Sequence, residues 1–190
     1  MGNITMSMSM SLDGFIAAKN DSPDEPLGED GQRLHGWLFR DSNKQYNQVM
    51  EAATKSLGAV IIGRRTYDNA HADWGDYGPA DDVPSFVLSH DVPPEHNAKM
   101  TFVSDGLESA LKQARAAAGN KSIDLMGANV QQQFLKAGLI DTIDISIVPV
   151  ILNEGVRLFD HLGSAHISLK QLKVTEGDQV THISYAVVKK

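Results

Sequence analysis

The stretch SIDLMGANVQQQFLKAGLIDTIDISIVPV, residues 122–150, decides the fold. SIDLM reads as a strand, Gly127 breaks it, and ANVQQQFLKAG runs at helical spacing until Gly138 ends the helix. DTIDISIVPVI then follows as a long strand. A strand that enters a helix and returns as a strand is the unit of a parallel sheet with right-handed crossovers.

The same alternation runs upstream. SDGLESALKQARAAAGN, residues 104–120, predicts a helix: Leu107, Ala110, Leu111 and Ala114 form an apolar stripe, Asp105 and Glu108 have capping-box spacing, and Gly119 ends it. AVIIG (59–63) and SFVLS (85–89) are short apolar runs of the kind buried on both faces. DSNKQYNQVMEAATKSLG (41–58) carries Tyr46, Val49, Met50, Ala53 and Leu57 at helical spacing, with Asp41 or Ser42 to cap its start. TMSMSMSL (5–12) alternates Met6, Met8, Met10 and Leu12 with Ser7, Ser9 and Ser11, a strand of period two. Downstream, the tail from His166 reads as two strands joined around Gly177 and Asp178. The expected fold is therefore α/β, with a mostly parallel central sheet closed by a C-terminal antiparallel hairpin, as one domain over residues 1–190. Two long connections, roughly 19–36 and 67–84, are rich in Gly, Pro and Asp and read as binding loops, lids or disordered segments.

Composition narrows the function. The 190 residues are 42% hydrophobic and 22% charged, the balance of a globular protein. The absence of cysteine excludes disulfides, thiolate metal sites and a cysteine nucleophile. A formal net charge of −7 argues against nucleic acid as a partner. No apolar run approaches a membrane span, and MGNITMSMSMSLDG lacks the regions of a signal peptide, so a cytoplasmic protein with no membrane partner is expected.

In open parallel sheets, ligands sit beyond the carboxyl ends of the strands. Three such ends here suit anions. After AVII come Gly63, Arg64, Arg65 and Thr66: close backbone approach, two guanidinium forks and a hydroxyl. Leu88, Ser89 and His90 follow the next strand. Gly127 opens a helix, so the amides of Ala128, Asn129 and Val130 lie at the positive end of a helix dipole. Each alone also fits an ordinary helix end or turn; together they suit one ligand with several phosphates. The P-loop, the three-glycine dinucleotide fingerprint and the GxSxG elbow are absent. His71 with Asp73 and Asp76 is the best metal candidate, and no metal site is expected.

SMSLDGFIA, VIIGRRTYD, FVLSH and LMGANVQQQFLKAGLIDTIDISIVPVILNEGVRLF together resemble the dihydrofolate reductase superfamily, most closely its RibD C-terminal branch, the reductase domain of bifunctional riboflavin-biosynthesis enzymes. The resemblance covers nearly the whole chain. It implies a three-layer dihydrofolate reductase-like fold and an NADPH-dependent reductase of a small heterocyclic or C=N/C=O substrate, resembling 5-amino-6-(5-phosphoribosylamino)uracil reductase. The alternative is a non-catalytic nucleotide- or phosphate-binding protein of the same fold. By position, the resemblance places Gly63, Arg64, Arg65 and Thr66 at the adenosine 2′-phosphate and pyrophosphate, and Leu88, Ser89 and His90 beside the adenosine ribose. Gly127, Ala128, Asn129, Val130 and Gln131 would cradle the pyrophosphate. Met8, Ser9, Ile16, Ala17 and Ala18 would frame the nicotinamide.

The chain departs in places from the family it resembles. Phe15 stands where related reductases commonly carry a basic residue, and MGAN replaces a Gly-Gly run. Asn47, Gln48 and Glu51 offer no clear counterpart of the carboxylate of folate reductases, which argues against folate. Asp13, just after the first strand, is the best candidate for a proton donor, but a structural Asp-Gly turn is the favoured reading of it. Trp74 and Tyr77 would close over the substrate or pack the long loop. The apolar strand TIDISIVPVI suggests a homodimer.

Overall fold

The computed structural model describes residues 2–40, 42, 54–74, 78–80 and 82–189. The helix expected over 41–58 lies mostly outside them, although residues 54–55 are helical. In chain order the elements are β1 (Ile4–Ser11), β2 (Phe15–Ala18), a 3₁₀ segment (Gly31–Phe39), β3 (Leu57–Gly63), α1 (Arg64–Ala70), β4 (Ser85–Leu88), β5 (Thr101–Val103), α2 (Leu107–Ala118), β6 (Ser122–Met126), α3 (Ala128–Lys136), β7 (Thr142–Val148), β8 (Gly155–Arg157), β9 (Leu169–Gly177) and β10 (Val180–Val187). Among the described residues, eight strands form one sheet in the order β5-β4-β3-β6-β1-β7-β10-β9. β5 through β7 run parallel, and β10 and β9 close the sheet antiparallel. β2 and β8 form a separate antiparallel ribbon.

Period-two alternation sorts side chains between the two faces. Ile4 and Met6 of β1, Ala59 and Ile61 of β3, Ile123 and Leu125 of β6, and Ile143 and Ile145 of β7 enter one core. Ala110, Leu111 and Ala114 of α2 and Phe134 and Leu135 of α3 cover that face. On the other face, Val60 and Ile62 pack with Tyr67 of α1, while Leu34 and Trp37 of the 3₁₀ segment pack on Val148 and Val180. Helices, sheet, then α1 with the 3₁₀ segment make three layers, as expected.

Several local expectations change. α2 begins at Gly106 with no side-chain cap, so Asp105 and Glu108 do not form a capping box. The two long connections are partly structured, by the 3₁₀ segment and by α1. β7 is paired on both sides, to β1 and β10, so TIDISIVPVI offers no edge to a partner; among the described residues the two edges of the sheet are β5 and β9. No helix among the described residues is long and apolar enough to cross a membrane.

The chain reaches β3 before β6, yet β6 inserts between β3 and β1. The direction of winding therefore reverses at the centre of the sheet, and a crevice opens where the carboxyl ends of β1, β3, β4 and β6 meet.

Candidate functional site

A cleft of about 1140 Å³ occupies this edge. Met8, Ser9, Ile16, Ala17, Gly63, Arg64, Arg65, Thr66, Trp74, Leu88, Ser89, His90, Gly127, Ala128 and Asn129 all line it. Three strand ends far apart in sequence thus share one cavity.

At one end α1 and the β6–α3 turn press together. Gly127 has φ +95°, and a Cβ there would lie 2.2 Å from Thr66 Oγ1. Glycine is required both for the backbone angle and for the approach. It sets the first turn of α3, with its unpaired amides, directly on the cleft. The Arg64 guanidinium lies nearby: Nε donates to Asp68 Oδ1 at 2.8 Å, and one terminal nitrogen donates to Ser89 Oγ at 3.1 Å and Asp91 Oδ1 at 3.0 Å. Hydrogen bonds from Arg64 to Asp68, then the charges of Asp68 and Asp91, raise its already high pKa against the cost of burial. Arg65 turns to the other side of α1, where Nε donates to Asp21 Oδ2 at 2.7 Å and a terminal nitrogen holds Oδ1. Asn69 Nδ2 donates to the same carboxylate at 2.8 Å. Arg65 thereby ties the loop after β2 to α1.

Other expected residues sit elsewhere. Val130 is buried in the core. Gln131 is also buried, its Nε2 donating to the Leu125 carbonyl at 2.7 Å. Gln132 and Gln133, three and four residues beyond Asn129, line the cleft instead. Ala18 is buried behind the cleft wall, its amide bonded to Leu27 O at 2.8 Å. Tyr77 lies outside the described residues. His71 Nδ1 is 2.9 Å from the Tyr67 carbonyl and its ring stacks on Tyr67, which leaves that nitrogen a donor and not a metal ligand.

Asp13 is a structural tie. Its Oδ1 accepts from Ser11 Oγ at 2.6 Å and Leu152 N at 3.1 Å, and its Oδ2 from Asn153 N at 2.8 Å. Burial pushes the carboxyl up, but these bonds outweigh it and hold the pKa at about 2. A carboxyl ionised at neutral pH and bonded away from the cleft is no proton donor. Asp13→Asn is therefore expected to lower the melting temperature, as followed by circular dichroism. A melting temperature equal to that of the wild type would contradict this assignment.

The sequence reading named Ser9 but missed the rest of the far wall. Ser7, Asp144 and Ser146 line the cleft from the sheet beside it, with His35 and Trp37 from the 3₁₀ segment. Trp37 Nε1 donates to Ser9 Oγ at 3.1 Å, and Ser146 Oγ is 2.8 Å from His182 Nδ1. Burial lowers His35 from its ordinary pKa and His182 to about 4, which leaves the latter neutral. Ser184 Oγ donates to Asp144 Oδ1. Asp124 lies behind Ser7, its Oδ1 enclosed with no partner among the described residues. Burial pushes its carboxyl up to about 7 against hydrogen bonds from Ser7 and Leu125, with Asp144 adding to the rise. The signal was present: SIDLM and TIDIS put carboxylates inside strands, where Asp is depleted.

A family model described as the RibD C-terminal domain matches residues 3–183. The chain belongs to this family. YyaP of Bacillus subtilis (strain 168), an uncharacterized protein, is 24% identical over 170 residues, covering 82% of this chain and 79% of YyaP. A crystal structure of a protein from Shewanella sp. PV-4, assigned to riboflavin biosynthesis, matches over 100% of both chains with TM-score 0.75 and 28% identity. Dihydrofolate reductase from Enterococcus faecalis, complexed with NADP(H), matches 99% of this chain and 98% of its own with TM-score 0.58 and 12% identity. This RibD C-terminal domain therefore has the dihydrofolate reductase-like fold. Its cleft wall also includes β8, through Gly155, Val156 and Arg157. Arg157 packs its guanidinium 4.4 Å from the centre of the Phe15 ring.

Proposed function

We propose that the chain is a cytoplasmic NADPH-dependent reductase of a small heterocyclic or other C=N or C=O substrate, of the type represented by the pyrimidine reductases of riboflavin biosynthesis. One observation carries this reading: Arg64, Ser89 and the Gly127 turn, from three separate strand ends, line one cleft with a polar far wall. Its volume of about 1140 Å³ exceeds the ~300–1,000 Å³ usual for one small ligand, which leaves room for a dinucleotide and a second molecule.

The residues fit the cofactor. The Gly127 turn brings backbone amides to the cleft without a side chain in the way, as a pyrophosphate requires. Arg64, braced by Asp68, would hold the ribose 2′-phosphate together with Ser89. Bound NADPH would supply the hydride. The polar wall would do the rest: Ser7, Asp144 and Ser146 accept or donate hydrogen bonds to orient the substrate. Behind Ser7, burial raises the Asp124 carboxyl to about 7, outside the lining of the cleft.

Arg64→Ala should weaken NADPH about tenfold or more, the loss of one charge-assisted hydrogen bond, and NADH far less. Calorimetry with both dinucleotides tests this; equal losses would contradict it. Depletion of NADPH absorbance across a panel of cyclic C=N and C=O compounds tests turnover, and binding with no turnover on any of them would count against a reductase.

We also propose a homodimer joined through β9. Leu172 and Val174 on this terminal strand are about half exposed, and its outer edge has no pairing strand among the described residues. Light scattering should give twice the mass of one chain, and the mass of a monomer would refute the dimer.

A further inference from the structure

A guanidinium offers its donors in a fixed fork, so a donor already facing a carboxylate must be released before it can serve a phosphate. Arg64 uses its two sides differently. Nε faces Asp68, one turn along the same helix, with both carboxylate oxygens within 3.0 Å. That pair is local and braces the side chain. The terminal nitrogen faces the cleft, where it meets Ser89 Oγ at 3.1 Å, Asp91 Oδ1 at 3.0 Å and the Asp91 carbonyl at 3.4 Å. Asp91 comes from the loop just after β4, lines the same cleft, and is 74% exposed, whereas Arg64 is 31% exposed.

On the reading above, Ser89 and this nitrogen of Arg64 are the donors for the phosphate on the adenosine ribose. The Asp91 carboxylate already occupies that nitrogen. A carboxylate and a phosphate dianion repel, so both cannot sit on one nitrogen without cost. A ribose 2′-hydroxyl, by contrast, can donate to a carboxylate. Being mostly in water, Asp91 can swing aside with little desolvation, so it acts as a removable competitor and not as a block.

We propose that Asp91 is a specificity-determining residue that competes with the ligand's ribose phosphate for Arg64 and so moderates the preference for phosphorylated over unphosphorylated dinucleotides. The inference rests on the assignment of the cleft to a dinucleotide. Its signature is a charge effect confined to the adenosine end.

Calorimetric titration with adenosine 2′,5′-bisphosphate and with ADP, on the wild-type chain, Asp91→Asn, Asp91→Glu and Arg64→Ala, tests it. Asp91→Asn should bind the bisphosphate about fivefold more tightly, the size of an exposed charge pair, with ADP changed much less. Asp91→Glu keeps the charge and should keep the wild-type ratio of the two affinities. A ratio unchanged in Asp91→Asn would overturn the proposal while leaving the cleft assignment intact. Arg64→Ala binding the bisphosphate as well as wild type, or neither probe binding any variant, would overturn the cleft assignment and the proposal with it. Because Asp91 is exposed, melting temperatures should stay close to wild type and keep the comparison interpretable.

Discussion

Gly127→Ala is expected to weaken dinucleotide binding about 100-fold and to lower the melting temperature. Two costs add. A residue with a Cβ at φ +95° carries roughly 1–2 kcal/mol of backbone strain. The new methyl would also stand 2.2 Å from Thr66 Oγ1, so α1 and the β6–α3 turn must part, at roughly 1–3 kcal/mol for overpacking. For a domain of this size the sum corresponds to a fall of roughly 5–15 °C. Separating the turn from α1 also moves the amides of Ala128 and Asn129 away from Arg64. At about 1.5 kcal/mol for each charge-assisted bond, losing two weakens binding about 100-fold. The double variant Gly127→Ala/Thr66→Ala removes the clash but not the strained angle, so it should recover part of the melting temperature. Full recovery, or an unperturbed NADPH isotherm in Gly127→Ala, would show that the turn is not the cradle.

Asp124→Asn should flatten the stability of the protein against pH. The folded state holds the Asp124 carboxyl at about 7, above its ordinary 3.8, chiefly through burial. The folded chain therefore binds this proton more tightly than the unfolded chain. The favourable contribution is complete below about pH 4 and is lost as the pH rises towards 7. Between pH 5 and 8 the wild-type free energy of unfolding should fall by roughly 2–3 kcal/mol more than that of Asp124→Asn, as judged by urea melts. Parallel profiles would place Asp124 in contact with water and remove it as a holder of a proton behind Ser7.

Much of this arrangement was legible in local pattern. The apolar runs of β3, β4 and β6 and the helices after them specify a parallel sheet, and the parallel sheet brings Arg64, Ser89 and Gly127 to one edge. What was not legible depends on contacts between distant residues. The β2–β8 ribbon pairs Phe15 with Arg157 and Ala18 with Gly155, and neither run has a pattern of its own. Asp13 was the candidate donor because it follows a strand end, with the structural turn favoured; the fold agrees with the turn and adds that Leu152 and Asn153 occupy its oxygens. Gln131 was misplaced by one residue, which on a helix is a rotation of about 100° and moves a side chain from cleft to core. Asp21, which ties down Arg65, lies 44 residues away in sequence. The carboxylates of β6 and β7 stood out as polar interruptions in apolar strands, but their meeting across Ser7 required the register of β1 with both neighbours.

The most direct test of the account is a crystal structure of the chain soaked with NADPH. The account predicts the pyrophosphate against the Ala128 and Asn129 amides, the ribose phosphate on Arg64 and Ser89, and the nicotinamide between Met8 and Ala17, facing the wall of Ser7, Asp144 and Ser146. A dinucleotide bound elsewhere, or one whose ribose phosphate points away from Arg64, would contradict it.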